Sequence, residues 1–259
     1  MNFKKALIDT GSRILRFIGI IAILYVSMVF YLTLSERRNA FPRAISHNEA
    51  RAAIANDAKV VTCTIEDGTV LNGWTMGEKG KPALLYFPGA DEDAAQFLAE
   101  MGKTENLMLI AFNYRGGADN KGTPSQETFE PDANFISECA TQAAGGHVDY
   151  LAGRGTGAIL AAEQLGNNQT LVMIDPVNSI ADALANKYRI MYPKFLVRAD
   201  VKMPSEKLGN KHEQTKILYD RKNVRDIAHT VSLQHPKIGT IDRNGASLKE
   251  AILKSIQMN

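Results

Sequence analysis

A few hydroxyl and carboxyl side chains of this 259-residue chain could carry acyl-transfer chemistry. Such chemistry needs a nucleophile, a base that takes its proton and an acid that orients the base. An apolar run ends in Gly-Arg-Gly-Thr-Gly before an alanine-rich helical segment, so the middle residue is expected in a tight turn at a sheet edge. That residue is Gly155, which has no side chain to attack a carbonyl. Ser125, in a loop, and Asp175, after a predicted strand, are the alternative candidates for reactive groups.

The sequence has no pattern typical of a metal or nucleotide site. Residues 153–157 lack the lysine of a P-loop and the third glycine of a dinucleotide-binding motif. A helix N-terminus beside Arg154 is nevertheless able to bind a phosphate. The histidines have neither an i, i+4 partner nor a cysteine partner, so we expect no metal and no cofactor. They are His47, His147, His212, His229 and His235.

Short apolar runs alternate with helical patterns, which predicts an α/β domain with a mostly parallel sheet and helices on both faces. Asp67-Gly68, between two β-branched runs, predicts an antiparallel hairpin at the sheet edge. A longer mixed stretch, at about 176–212, is expected to form a small cap insertion. The predicted strands are 59–64, 69–76, 82–87, 107–112, 148–152, 170–174, 216–219 and 237–241, and the predicted helices are 91–101, 132–144, 156–165, 224–233 and 246–257.

Four segments resemble, in order and spacing, motifs of the α/β-hydrolase superfamily, in which Gly-x-Ser-x-Gly forms the nucleophile elbow. The resemblance is to the membrane-associated, BEM46-like or ABHD13-like branch, whose members often carry an N-terminal membrane helix. It covers roughly residues 58–257 and implies an α/β-hydrolase-like sheet. The segments are Leu84–Ala90, Phe112–Gly117 with Gly122–Ser125, Val148–Ala158 and Ile174–Asp182, and Gly73-Trp74 matches the end of the family's hairpin.

The resemblance also assigns the catalytic positions, and three of them hold unsuitable residues. The nucleophile position is Gly155, the acid position is Asn223, and the base position is Arg243 or its neighbour. Asparagine cannot stabilise an imidazolium by charge, and arginine stays protonated at neutral pH. The backbone N–H groups of Ala90 and Thr156 are implied to form an oxyanion hole. We therefore expect a degenerate triad with no intact catalytic site.

Acidic residues 91–93 follow the implied oxyanion loop directly. They would oppose a negative charge developing in that hole. Acidic side chains also favour helix N-termini, because they accept hydrogen bonds from the free N–H groups there. We expect these three residues to cap the helix that follows.

The uncharged run 17–34 follows a basic flank, residues 1–16, and predicts a transmembrane helix. Its 18 residues are apolar on all sides. A buried core helix and a cleaved signal peptide are the alternatives, but Ser-Glu-Arg-Arg directly after the run is a poor cleavage context. Basic residues are slightly more numerous before the run than after it, which favours a cytoplasmic N-terminus and a main domain on the outer, periplasmic or extracytoplasmic, face. A polar connector, 35–57, then leads to the domain at 58–259.

The formal charge of +2 is unevenly distributed along the chain. Residues 1–38 carry +4 and the other 221 residues carry −2, so we expect no nucleic-acid-binding face on the main domain. The outer compartment would permit a disulfide between Cys63 and Cys139. We expect no such bond, because one cysteine falls in an early predicted strand and the other in a helix elsewhere.

These observations predict a membrane-anchored protein with an α/β-hydrolase-like domain that has lost catalysis. Its expected role is binding: of a partner protein, or of a small ligand under the cap. The alternative is an active serine-type or other acyl or ester hydrolase whose catalytic site has been relocated, with Ser125 or Asp175 as the reactive group. Loss of all three triad residues favours the first interpretation.

Overall fold

The computed structural model describes residues 3–220 and 227–257, which contain one eight-stranded sheet. Its strands are β1 (Ala58–Thr64), β2 (Val70–Met76), β3 (Ala83–Phe87), β4 (Met108–Phe112), β5 (Tyr150–Arg154), β6 (Thr170–Ile174), β7 (Thr215–Tyr219) and β8 (Gly239–Asp242). They lie in the order β1-β2-β4-β3-β5-β6-β7-β8. The β1–β2 hairpin pairs antiparallel with itself and with β4, and all other pairs are parallel, so the predicted mostly parallel sheet is confirmed.

Helices cover both faces of this sheet. The helices of the described residues are α1 (Phe3–Leu34), α2 (Glu36–Ala40), α3 (Asn48–Ile54), α4 (Ala94–Met101), α5 (Gln126–Ala144), α6 (Gly157–Gln164), α7 (Ile180–Tyr188), α8 (Ser205–Asn210), α9 (Ile227–Gln234) and α10 (Leu248–Gln257), and α1 lies outside the sheet layers. One apolar core contains residues of α5, α6, α7 and α8, and a second core, on the opposite face, contains residues of α3, α4 and α10. The central strands β3, β4 and β6 are buried on both faces, which explains why they are apolar throughout.

Helix α5 is longer than its sequence pattern predicted. The predicted helix covers 132–144 and begins directly after Pro131. The helix instead begins at Gln126, after Ser125, and contains Pro131 in its second turn. The cap-like stretch between β6 and β7 contains α7, α8 and three short 3-10 helices, at Arg189–Met191, Lys194–Leu196 and His212–Gln214.

The predicted absence of a disulfide is wrong, because Cys63 and Cys139 are bonded. Their Cα atoms lie 5.7 Å apart, although 76 residues separate them in sequence. Helix α5 packs against β1, so the strand residue and the helix residue face each other across the core. Sequence separation gave no indication of this contact, which depends on how the helix crosses the edge hairpin.

The segment predicted as a polar connector is largely structured. It contains α2 and α3, and it buries apolar side chains such as Phe41 and Ile54 in the two cores. Arg51 of α3 donates to the Asp93 carboxylate at 2.9 Å and stacks over the Trp74 ring. These contacts fix the segment against the main domain, although its composition is polar.

Helix α1 contains the apolar run of the N-terminal region. Residues Ile8–Leu34 form a 27-residue stretch that is long and apolar enough to cross a membrane. Almost none of this stretch is buried, so it is not a core helix of the domain. Its C-terminal half contacts the stretch between β6 and β7, where Tyr25 donates to the Ile190 carbonyl oxygen and Arg198 donates to the Thr33 carbonyl oxygen.

Candidate functional site

The turn between β5 and α6 has very close backbone packing on both sides. A Cβ at Gly153 would lie 2.4 Å from the carbonyl oxygen of Gly157, and a Cβ at Gly157 would lie 2.2 Å from that of Pro88. Real Cβ atoms do not approach backbone oxygens so closely. The two outer glycines of Gly-x-x-x-Gly therefore allow β5, α6 and the loop after β3 to pack in direct backbone contact.

Gly155, between them, differs from both in its backbone conformation and in the space around it. Its φ is +56°, the left-handed conformation, which side chains other than glycine adopt at a cost of about 1–2 kcal/mol. A Cβ there would meet nothing within 4 Å, so a side chain would project into open space. The turn thus presents its central residue at the carboxyl edge of the sheet, and that residue provides no reactive group.

These glycines allow a matched stability test. We expect Gly157→Ala to lower the free energy of unfolding by about 3 kcal/mol or more, because the new methyl group must displace backbone. Gly155→Ala should cost only about 1–2 kcal/mol, since its methyl group has room and only the φ is strained. Urea unfolding followed by Trp74 fluorescence measures both values. Equal losses in the two variants would contradict this packing.

The implied oxyanion-hole residues lie together at the same edge. Ala90 follows β3 and Thr156 precedes α6, and both line one cavity with Gly155. Within residues 3–220 and 227–257, neither the Ala90 N–H nor the Thr156 N–H donates to a protein acceptor. Two such free donors at adjacent turns are able to bind one acceptor oxygen. The Thr156 hydroxyl is also buried, with no partner among the described residues.

The Glu92 carboxylate lies beside this pair of donors, and its contacts could not be predicted from the sequence. It accepts hydrogen bonds from the Tyr86 hydroxyl (2.7 Å) and the Gly89 N–H (2.8 Å), and it pairs with Arg154 (2.7 Å). Burial raises its pKa, and the Arg154 guanidinium opposes that shift. The sequence predicted that residues 91–93 cap the next helix, but only Asp93 does so, accepting from the Ala95 N–H.

Asp175 and Arg243 form an ion pair at the same edge. Asp175 follows β6 and Arg243 follows β8, and their closest atoms, Oδ2 and Nη2, are 3.3 Å apart. Burial raises the pKa of Asp175, whereas Arg243 and Arg154 act to lower it. The implied base position therefore holds a cation that is already paired with a carboxylate. Asn223, at the implied acid position, lies outside the described residues.

A cavity of about 520 Å³ lies over the turn. Its described lining contains no serine, cysteine or histidine. The lining residues from the sheet edge are Gly89, Ala90, Asp91, Glu92, Arg154, Gly155 and Thr156, and those from the surrounding helices and loops include Asn39, Val177, Ile180, Leu184 and Lys187.

The structure places the remaining candidate residues outside this cavity. Ser125 precedes α5, where its hydroxyl lies 3.3 Å from that of Thr128, and it lines a separate surface pocket with Glu36. His235 follows α9 and precedes β8, so it lies at the amino edge of the sheet, opposite the cavity. No cluster of three or more metal-ligating side chains occurs in the part of the chain that the structure describes.

Solved structures with a similar architecture include α/β-hydrolases. An alpha-beta hydrolase from Vibrio vulnificus superposes with a TM-score of 0.63 over 88% of this chain and 91% of its own, at 17% identity. The fold is that of an α/β-hydrolase. A Pyrococcus furiosus esterase is similar over 82% of this α/β-hydrolase-fold chain and 90% of its own, with a TM-score of 0.57 and 14% identity.

Comparison by sequence gives less information than comparison by structure about the relatives of this α/β-hydrolase-fold protein. No family model matches the chain. The uncharacterised protein YfhR of Salmonella typhimurium, and its counterpart in Salmonella typhi, are 27% identical over 168 residues. The match covers 61% of this chain and spans about half the length, 54%, of those relatives.

Proposed function

We propose that this protein is a membrane-anchored α/β-hydrolase-fold binding protein that has lost the catalytic reaction. One observation carries the proposal: the turn that presents a nucleophile in this fold is intact, but its central residue is Gly155. A glycine cannot form a covalent acyl intermediate. The cavity and the free N–H groups around it persist, and these features are what binding requires.

The base position supports the same conclusion. Arg243 cannot accept a proton at neutral pH, and its pairing with Asp175 stabilises its charge. The acidic group of Glu92 next to the oxyanion-hole donors also disfavours a developing oxyanion. A neutral acceptor, such as an ester or amide carbonyl, suits the Ala90 and Thr156 donors better than an anion does. The ligand class we propose is therefore a small acyl compound that is bound without being cleaved.

The anchor and its orientation belong to the same proposal. Helix α1 is exposed and long enough to span a bilayer, and basic residues precede its apolar run. Structural disulfides form in oxidising compartments, so the Cys63–Cys139 bond supports a domain on the outer face of the membrane. The slight excess of basic residues before the run favours the same topology.

Binding of a dansyl-labelled acyl amide to the full-length protein in detergent tests this function by fluorescence anisotropy. We expect the wild type and Gly155→Ala to bind, and Gly155→Phe to bind at least ten-fold more weakly, because the aromatic ring fills the open space above the turn. The Ala and Phe variants have the same φ strain and differ in the volume that they occupy. Equal binding by all three proteins, or binding by none, would argue against the cavity as an acyl site.

A serine placed at the elbow should not restore hydrolysis. We expect Gly155→Ser to leave ester turnover at the background rate, since Arg243 cannot take the proton of the new hydroxyl. The check is the release of nitrophenol from nitrophenyl acetate by the full-length variant, with Gly155→Ala as the matched control. A clear rise in rate for the serine variant alone would mean that a working base exists.

A further inference from the structure

The segment between α7 and Val197, here called the cap loop (residues 189–196), exposes unusually large apolar side chains. Ile190 is 80% exposed, Phe195 is 83% exposed and Met191 is 48% exposed. Side chains of the same loop that face inward are well packed: Tyr192 is fully buried and Leu196 packs against the core. The exposed side chains are therefore held in place by an ordered loop.

The cap loop is attached directly to the membrane helix. The Tyr25 hydroxyl donates to the carbonyl oxygen of Ile190 at 2.9 Å, and α1 contacts the 3-10 helix at Arg189–Met191. Tyr25 lies nine residues before Leu34, the last residue of α1. At 1.5 Å per residue that is about 13 Å along the helix axis.

This distance relates the depth of the loop to the position of the end of α1. A headgroup layer is about 5–8 Å thick on each side of a hydrocarbon core of about 30 Å. If the end of α1 lies at the outer membrane surface, then the level of Ile190 is below the headgroups. Ile190 and Phe195 would then lie among acyl chains, where their apolar surface is favourable.

Charged residues around the loop fit the same placement. Lys194 pairs with Asp182, and its side chain is 60% exposed. Arg198 donates to the carbonyl oxygen of Thr33, near the end of α1, and its side chain is 73% exposed. Long basic side chains next to an inserted apolar patch extend their charged ends to lipid phosphates. The exposed apolar side chains thus match the acyl-chain layer of an anionic bilayer, and Lys194 and Arg198 match its phosphate layer.

We propose that the cap loop inserts into the outer leaflet of the membrane that α1 spans, with Ile190 and Phe195 as its apolar contacts. This inference rests on the membrane anchoring proposed above. It gives the domain a second attachment and holds it in one orientation on the bilayer. Helix α7, which lines the cavity and leads directly into the loop, would then lie beside the lipid.

Nitroxide-lipid quenching tests the placement in the full-length protein, reconstituted into vesicles of phosphatidylcholine and phosphatidylglycerol. Single cysteines are introduced as Phe195→Cys, Ile190→Cys, Leu24→Cys in α1 and Val60→Cys on the edge strand β1, and each is labelled with a nitrobenzoxadiazole fluorophore. The native cysteines are bonded to each other and do not react. Val60 is the matched control, since it is apolar and 71% exposed but has no place in the cap loop.

We expect labels at positions 190 and 195 to be quenched several-fold more than the label at 60, and to a degree similar to that at 24. A second outcome is strong quenching at position 24 but no more quenching at positions 190 and 195 than at position 60. This outcome would overturn the loop insertion and leave the anchor intact. A surface that instead docks a protein partner would give this second result. Absence of quenching at all four positions would show that the proposed anchor itself fails.

Discussion

Replacing both cysteines with alanine is expected to lower the free energy of unfolding by about 3–4 kcal/mol. The Cys63–Cys139 bond closes a long loop between residues 76 apart in sequence, and cross-links over such loops strongly reduce the entropy of the unfolded chain. Cys63 is fully buried, so its replacement also removes some apolar contact. Urea unfolding of the full-length protein in detergent, followed by the fluorescence of Trp74, measures the difference.

Reductant provides the control for this prediction. Dithiothreitol should shift the unfolding midpoint of the wild type toward that of the double variant and leave the double variant unchanged. Two free thiols per chain in protein taken directly from membranes, together with unchanged stability in the variant, would contradict both the bond and the outer-face location that it supports.

Replacing Glu36 with glutamine is expected to cost about 2–3 kcal/mol. The buried carboxylate, two residues after α1, accepts hydrogen bonds from the Tyr192 hydroxyl (2.6 Å) and from the backbone N–H groups of Arg198 (2.7 Å) and Ala199 (2.8 Å). The amide group of glutamine would point a donor at one of these donors and leave it unsatisfied. Glu78→Gln, at an exposed turn, is the matched control and should change the unfolding midpoint little.

The pKa of Glu36 also determines how the stability difference between wild type and Glu36→Gln depends on pH. Burial alone would raise the pKa of Glu36, but the hydrogen bonds from Tyr192, Arg198 and Ala199 outweigh burial and hold that pKa below its ordinary value of 4.5. A lowered pKa in the folded state stabilises the protein fully above pH 4.5, and the stabilisation is lost as the pH falls through the folded-state pKa. The difference between wild type and Glu36→Gln should therefore be constant near neutral pH and shrink in acid. A difference that grows in acid would show that Glu36 is protonated in the folded protein.

The sequence predicted the fold well where local patterns determine it. Buried parallel strands such as β3 and β6 are continuous apolar runs, and Asp67-Gly68 marks the hairpin, so their positions could be recognised from residue types alone. The N-terminal boundary of α5 was misplaced, because the helix begins at Gln126 and includes Pro131, a residue that is unfavourable in a helix interior. Both results have one reason: a sequence pattern reflects only neighbouring residues, whereas the end of a helix also depends on packing with distant residues.

Contacts between distant segments could not be predicted in the same way. The disulfide depends on the packing of α5 against β1, and the Glu36 hydrogen bonds join residues more than 150 positions apart. The Glu92–Arg154 pair likewise forms because β3 and β5 are neighbours in the sheet. The proximity of Asp175 and Arg243 follows from the strand order, which brings the ends of β6, β7 and β8 to one edge. Residue types suggested a vacant nucleophile position at Gly155, and the fold added what surrounds that residue.

Ester hydrolysis by the full-length wild-type protein tests most directly the claim that the catalytic positions have been vacated. The measurement is the turnover of short acyl nitrophenyl esters in detergent, compared with that of Ser125→Ala and Asp175→Ala, the two variants that remove the alternative reactive groups. All three proteins are expected to match the rate of the ester in buffer alone. Wild-type turnover above that rate, with a loss of activity in either variant, would contradict that claim and identify a relocated catalytic group.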